Sequence, residues 1–440
     1  LQTKKHSKIL VSSQSNQAVD NVLEKICKDE DKILRIGNDA SKMSKEAQKF
    51  MPEKVLNKLI SQNLKRIKEN SIIHEDKNIQ KELIKLQEDF AKRLQSITSK
   101  LATKKDTKES ELATLFLKNI RLIFGTLIGI SSWQNFKEMT FDIAIVDEAG
   151  RATLSELLVP CIKAKTIVLV GDHKQLAPVI DDEVIEKVDD KGEVKISFFQ
   201  RFFERLEKVD RENLKHILTY NYRSERKICE LYSNAFYEGE LIVSDDINKY
   251  KQHEISFFKS SVVWLDTANL NDKEDEQKGT GKINRCNAKY IKNTIGLIYD
   301  NILKNNLNYD IGIITPYKAQ KELLDNTIRK SDFDKIKIDI GTVDSFQGSD
   351  RDIIIYDCVR SSKSKAKRGQ KIDFIADEKR LNVSLSRAKK LLIIIGDMEF
   401  LYTASVSGEE NPFISIINHI KGNEEYEIIN LGKNSGKTKK

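Results

Sequence analysis

Two short apolar runs, residues 143–146 and 167–170, stop abruptly at acid: Asp147 and Glu148 follow the first, Gly171 and Asp172 the second. A β-branched run without polar alternation suits a strand covered on both faces, as in a parallel sheet, and such sheets carry their chemistry at the carboxyl ends of strands. Hydrolysis of a nucleoside triphosphate needs a carboxylate for Mg2+, a group that acts on the attacking water, a sensor for the terminal phosphate, cations against the transition-state charge, and a phosphate cradle. Asp147 suits the metal, because a hard cation prefers carboxylate oxygen. Glu148, one residue on, points elsewhere and can act on water, while Gln175 offers an amide that bonds phosphate and water together. Arg223, in a turn after Tyr222, and Arg387, just before a further apolar run, are candidate fingers; removing such a charge costs on the order of 10³ to 10⁵ in rate. Taken singly, the acids also fit a helix first turn and the arginines ordinary ion pairs. Their combination points to phosphoryl transfer.

Several elements must position these groups. Residues 8–11 form a short apolar strand, and Ser12, Ser13, Ser15 and Asn16 supply hydroxyls and an amide where it turns into a helix, a place for capping or for binding phosphate. Residues 38–124 contain no glycine. Within them, Leu56, Leu59, Ile60, Leu64 and Ile67 make one helical stripe, and Ile79, Leu83, Leu86, Phe90, Leu94, Ile97 and Leu101 another. Two antiparallel helices reversing near residues 70–78 would form an inserted arm over residues 46–115. Its surface fits a solvated hairpin and a nucleic-acid-facing role equally well. Sheet-type sequence resumes at Arg121, with strand 121–124 ending at Gly125 and Thr126. Strands alternating with helical patterns over residues 208–397 argue a second α/β domain with a parallel sheet. Residues 266–282 are polar and are expected to form a surface loop. Residues 1–45 and 116–210 make the first domain, 211–432 the second, and 433–440 a disordered tail.

Bulk properties set the limits. At 440 residues the chain is long enough for two or three domains. A net charge of +8, from 75 basic and 67 acidic residues, permits a polyanionic partner without demanding one. Cys27, Cys161, Cys229, Cys286 and Cys358 form no CxxC pair, which suits reduced thiols in a cytoplasmic protein. The longest apolar runs fall far short of the roughly 18 residues of a membrane span.

The stretches DEAG, VGDHKQLAPVI, YNYRSERKICELYSNAFYEGEL, IITPYKAQ, TVDSFQGSDRDIIIYDCVRS and LNVSLSRAKKLLIIIGD resemble, in order, motifs II, III, IIIa, IV, V and VI of superfamily 1 helicases. KILVSSQSNQAVDN is similar to motif Ia and LIFGTLIGIS to motif Ic. The nearest likeness is to the subfamily B branch that holds the nonsense-decay RNA helicase and its bacterial relatives. The resemblance implies two RecA-like P-loop NTPase domains, ATP and Mg2+, and movement along single-stranded DNA or RNA in the 5′-to-3′ direction. It assigns Asp147 to Mg2+, Glu148 to water, Gln175, Gly171 and Asp172 to the phosphate side, Tyr222 to the adenine, and Arg223 and Arg387 to the γ-phosphate. Gly348 and Asp350 fall at the motif V nucleotide contact, where relatives usually carry Gly and Glu. Nucleic-acid contacts map to Ser15, Asn16, Thr126, Pro316, Tyr317 and Thr342.

The chain also departs from the pattern. Where relatives often read Asn-x-x-Glu-Ala, it has Asn284, Arg285, Cys286, Asn287, Ala288. No GxxxxGK[ST] loop precedes motif Ia, and Gly436-Lys437-Thr438 lacks the spacing, the preceding strand and the following helix that a cradle needs. The Walker A loop is expected upstream of Leu1, and residues 1–440 alone are expected to hydrolyse negligible ATP. The main reading is an ATP-dependent helicase. A helicase-like protein that binds nucleic acid without turnover, and a scaffold whose helical arm recruits partners, are its rivals.

Overall fold

The computed structural model describes residues 7–26, 32–37, 39–69, 77–102, 117, 119–179, 197–209, 211–244, 252–362, 371–408 and 410–432. The helix reversal, the tail and the GKT triplet fall largely or wholly outside them. The chain divides into two compact units, Leu1–His173 with Ala177–Asp210, and Lys174–Leu176 with Arg211–Lys440. Each is α/β, built on its own parallel sheet.

The first sheet holds β1 (Ile9–Ser13), β2 (Ile33–Ile36), β3 (Leu122–Thr126), β4 (Phe141–Asp147) and β5 (Ala164–Leu169), in the order β2-β3-β1-β4-β5 and parallel throughout. β1 shows why its run does not alternate. Ile9 and Val11 pack with Val19 and Leu23 of helix Asn16–Ile26, while Leu10 packs on the other face with Ile123, Ile130 and Met139. A strand buried on both faces has no polar side to show. β5 corrects the expectation of a second buried strand: Ile167, Val168 and Val170 are each more than two-fifths exposed. Among the described residues β5 pairs only with β4, so it lies at the sheet edge.

Helices Pro52–Glu69 and Lys77–Ala102 pack on each other. Val55 reaches the core beneath β2. Ile79, Leu86 and Phe90 of the second stripe are exposed, because a pair of helices can bury only the faces turned toward each other.

The second unit contains β6 (Val262–Asp266), β7 (Glu276–Lys278), β8 (Gly281–Ile283), β9 (Ile311–Thr315), β10 (Ile338–Thr342), β11 (Arg351–Asp357), β12 (Ala388–Gly396) and β13 (Glu427–Asn430). Six of these form a parallel sheet in the order β10-β9-β11-β12-β6-β13. Ile311, Ile313, Ile353, Ile355, Ile393 and Ile395 fill the core on one face; Ile314, Ile354, Tyr356, Leu392 and Ile394 fill the other. β7 and β8 make an antiparallel hairpin inside the stretch read as a loop. Its strands are short and polar and bury little, so the sequence carries no alternation to reveal them.

Gly312 and Gly341 have a specific job. A Cβ on Gly312 would stand 2.7 Å from Phe346 Cε1 and 2.6 Å from Ile354 Cδ1, and one on Gly341 would stand 2.9 Å from Phe346 Cε2. The bare backbones of β9 and β10 admit the Phe346 ring, which anchors the segment between Thr342 and Asp350.

Candidate functional site

In the first unit, register alone gathers the candidate residues. Ser13 lies opposite both Thr126 and Asp147, so β1, β3 and β4 end side by side. The turn after β1 holds Ser15, whose Oγ accepts from Ala18 N at 3.1 Å, so it caps the helix. Thr126 caps likewise, its Oγ1 accepting from Gly129 N at 3.1 Å. Gln14 Nε2 donates to Arg151 O at 3.1 Å, tying this turn to the segment after Glu148.

Asn16 is fixed by a group that had no sequence signal. Arg35 is fully buried; its Nη2 donates to Asn16 Oδ1 at 2.8 Å and its Nε to Asp20 Oδ1 at 2.7 Å. Asp20 Oδ2 also accepts from Ser44 N at 2.7 Å. Removing either charge would strand the other in the core, a loss of about 3–5 kcal/mol.

Asp147 ends β4, and burial pushes its carboxyl above the ordinary carboxylate range, against hydrogen bonding from the Glu148 backbone and the field of Lys25. Glu148 adopts φ 56°, ψ 35°, a left-handed conformation that is uncommon for a side chain of this size. The kink lets the loop after β4 lie against the loop after β5. Val170 N donates to Val146 O at 2.8 Å, and Ala149 N to Val170 O at 2.9 Å. A Cβ on Gly150 would stand 2.9 Å from Asp172 O, and one on Gly171 2.8 Å from Gly150 N. The two loops therefore meet backbone to backbone, which only glycine allows.

In the second unit the candidates separate. The YRSE turn is built by Asn221, whose Oδ1 accepts from Arg223 N at 2.8 Å and Ser224 N at 2.9 Å. Asn221 Nδ2 donates in turn to the Tyr232 hydroxyl. Ser224 Oγ donates to Ala388 O at 2.8 Å, and Glu225 N to Lys389 O at 2.7 Å. The turn is thus fastened to the amino end of β12. There Arg223 Nε stands 3.5 Å from Asp350 Oδ2 and Lys389 Nζ 3.2 Å from Asp350 Oδ1. Burial would raise the Asp350 carboxyl, but Lys389, Arg223 and Arg387 outweigh it and hold it below its usual value. The shorter acid still reaches both cations.

Arg387 is buried. Its Nε donates to Val383 O at 3.0 Å and its Nη2 to Ser386 Oγ at 3.1 Å. At 3.5 Å, Nη2 also faces Gln175 Oε1. Lys174–Leu176 pack with the second unit, whereas the sequence reading kept them in the first domain; Asn382 Nδ2 holds Lys174 O at 2.9 Å and Leu176 joins the second core. Tyr222, beside Arg223, is 69% exposed and its ring is open to a flat partner. Gly348 takes φ 75°, which turns the chain just before Asp350.

The remaining candidates lie at the opposite edge. Thr342 ends β10, and Pro316 and Tyr317 follow β9. Pro316 is buried and Tyr317 half-buried. Near them is a polar core that sequence reasoning missed. Asp357, fully buried at the end of β11, accepts from Asn287 Nδ2 at 2.8 Å, Gln320 Nε2 at 2.7 Å and Val359 N at 3.0 Å. Burial pushes its carboxyl up to about 6 in spite of those three donors. Val359 sits at φ 61°, strained for a β-branched residue, and its carbonyl accepts from Asn284 Nδ2 at 2.8 Å. Asn287 supplies an N–H that an acid at this position would lack, because an ionised carboxylate has no proton to donate to Asp357. Among the described residues no cluster of three or more His, Cys, Asp or Glu could hold a metal ion, and no helix is long and apolar enough to cross a membrane.

Two family models, each described as an AAA domain, match residues 1–183 and 194–399. A regulator of nonsense transcripts 1 homolog from Neurospora crassa is 28% identical over 90% of this chain and 34% of its own length. The Schizosaccharomyces pombe ATP-dependent helicase upf1 is 29% identical over 90% and 40%, and the Saccharomyces cerevisiae DNA polymerase alpha-associated DNA helicase A is 27% identical over 90% and 59%. The chain thus spans between about a third and three-fifths of these relatives. Among solved structures, a PRRSV helicase aligns with 90% of this chain and 54% of its own at 11% identity and a TM-score of 0.33, too remote to carry an inference. With AAA domains matched in series across the motif-bearing sequence, the chain belongs to the superfamily 1 helicases, on the subfamily B branch of the nonsense-decay helicases.

Proposed function

We propose that this chain is the motor of an ATP-dependent helicase that moves 5′ to 3′ along single-stranded nucleic acid. The observation that carries the reading is the cluster at the amino edge of the second sheet, where Arg223, Lys389 and Arg387 converge on Asp350. Three cations around one acid suit a site that takes phosphate oxygens in exchange for a carboxylate. Tyr222 beside them offers a ring to the adenine.

The other half of the reaction falls to the first unit. The Asp147 carboxylate, half-enclosed at the end of β4, and Ser13 Oγ, buried without a hydrogen-bond partner on the adjacent strand, fit a Mg2+ ion that keeps waters and phosphate oxygens in the rest of its shell. When bound, the ion would neutralise developing charge on the phosphates. Glu148 accepts the proton of the attacking water as its oxygen bonds to the γ-phosphorus and the bond to the β–γ bridging oxygen breaks. Ser15, Asn16, Thr126, Pro316, Tyr317 and Thr342 contact the strand. Relatives named as helicases support this reading.

The test uses the full-length protein that carries this chain. Glu148→Gln keeps size and shape but cannot take the proton, so hydrolysis stimulated by a single strand falls about 10²- to 10⁴-fold while nucleotide binding persists. An unchanged rate in Glu148→Gln refutes the assignment. Running the same assay with DNA and with RNA strands identifies the substrate.

A further inference from the structure

The side-chain amide of Asn16 is held in one orientation. Asn16 opens helix Asn16–Ile26, just past the carboxyl end of β1, and its Oδ1 accepts from Arg35 Nη2 at 2.8 Å. A guanidinium carries donors only, so the oxygen of the amide, and never its NH2 group, can face Arg35. The planar amide therefore turns its NH2 group away from the guanidinium. Among the described residues that group has no acceptor, and Asn16 is only half-buried, so the donor stays within reach of a ligand.

Arg35 is in no position to release it. Its side chain is fully buried in β2, with Nε donating to Asp20 Oδ1 at 2.7 Å and Nη1 to Ile36 O at 2.6 Å. Asp20 is fixed in turn, because its Oδ2 accepts from Ser44 N at 2.7 Å. An ion pair with Asp20 would be enough to neutralise the buried charge. The remaining arm of the fork goes to Asn16, at the edge where Ser13, Thr126 and Asp147 end side by side. Flipping the amide would set an NH2 group against a buried donor and leave both unpaired, which burial makes costly.

We propose that Arg35, braced by Asp20, is a positioning residue for strand binding: it takes the Asn16 amide oxygen and so presents the Asn16 NH2 group as a fixed donor to a phosphate oxygen of the bound strand. The proposal rests on the nucleic-acid role of Asn16 given above. A phosphate oxygen accepts and never donates, so it matches a group that can only donate, and it is the same beside every base. Holding the side chain in place before the strand arrives also spares the rotamer freedom that binding would otherwise remove.

Fluorescence anisotropy with a labelled single strand and the full-length protein tests this in a double-mutant cycle. Asn16→Ala should weaken binding about tenfold. Arg35→Lys keeps a cation beside Asp20, but one ammonium cannot replace a fork that reaches three oxygens. It should weaken binding about as much as Asn16→Ala, and combining the two should cost less than about a further twofold. A purely structural Arg35 gives the same loss in either background; that result, or full affinity in Arg35→Lys, overturns the proposal. Asn16→Asp decides the matter even where Arg35→Lys fails to fold, because it keeps an oxygen for Arg35 and lacks the NH2 group. Its melting temperature should hold while affinity falls by about tenfold or more; wild-type affinity, or a lowered melting temperature, overturns the proposal. An abasic strand of equal phosphate number should show the same losses, and losses confined to the base-bearing strand overturn the phosphate contact. Full affinity in Asn16→Ala removes Asn16 from the strand and the proposal with it while the helicase reading stands, whereas a wild type that binds no strand sinks both.

Discussion

The two parallel sheets place their candidate residues differently. In the first, Ser15, Asn16, Thr126, Asp147 and Glu148 all lie at or just past the carboxyl ends of β1, β3 and β4, so the residues proposed for the strand and for hydrolysis share one edge. In the second, Arg223, Asp350, Arg387 and Lys389 lie where β11 and β12 begin, whereas Pro316, Tyr317 and Thr342 lie where β9 and β10 end. The same layered architecture therefore gathers the two proposed sets of residues at one edge in one unit and separates them to opposite edges in the other. Residues 342–350 span that separation: Thr342 stands at one edge, Asp350 at the other, and Phe346 is packed between Gly312 and Gly341.

This separation can be attacked in order of effect. Arg223→Ala removes the more accessible arginine of the amino edge, and hydrolysis by the full-length protein should fall 10³- to 10⁵-fold. A fall of less than tenfold would return Arg223 to the role of an ordinary partner for Asp350.

Asp357 concerns the carboxyl edge. Its folded value of about 6 lies above that of an unfolded aspartate, so the folded state binds the extra proton between pH 4 and 6. The residue's contribution to stability is therefore greatest below pH 4, declines as pH rises through 6, and is flat above. Across that window the wild type should lose up to about 3 kcal/mol relative to Asp357→Asn, which stays neutral. Thermal melts of both proteins at pH 4.5 and pH 7 measure it; a constant difference between them contradicts a buried ionisation.

Gly312→Ala sharpens the comparison least dramatically. The added methyl must displace Phe346 or Ile354, at a cost of about 1–3 kcal/mol. Because Phe346 lies between the edges, the variant should lower both hydrolysis and strand affinity along with the melting temperature. A shift in melting temperature with both activities intact would mean that residues 342–350 do not link the two.

Much of this was legible in the sequence, and the reason is burial. β4, β9, β11 and β12 are unbroken apolar runs because helices cover both sheet faces, and the residues that stop those runs mark the edges where chemistry collects. β6 escaped notice because VVWLD is brief and lies between polar Ser260-Ser261 and Thr267, and β13 because it is a half-exposed edge strand. Long-range polar pairing left no trace in the sequence. β2 and its Arg35 carry no sequence signal, yet Arg35 is fully buried against Asp20 and Asn16. Asp357 reads as another acid at a strand end, although its neighbours are the amides of Asn287 and Gln320.

The division of labour in the second unit is tested most directly by measuring hydrolysis and strand affinity side by side in full-length Arg223→Ala and Thr342→Val. The amino-edge variant should lose at least 10³-fold in hydrolysis while its affinity for a single strand stays within about threefold, and the carboxyl-edge variant should lose about tenfold in affinity. If Arg223→Ala weakens strand binding as much as hydrolysis, or hydrolyses ATP at the wild-type rate, the two edges do not divide nucleotide from strand.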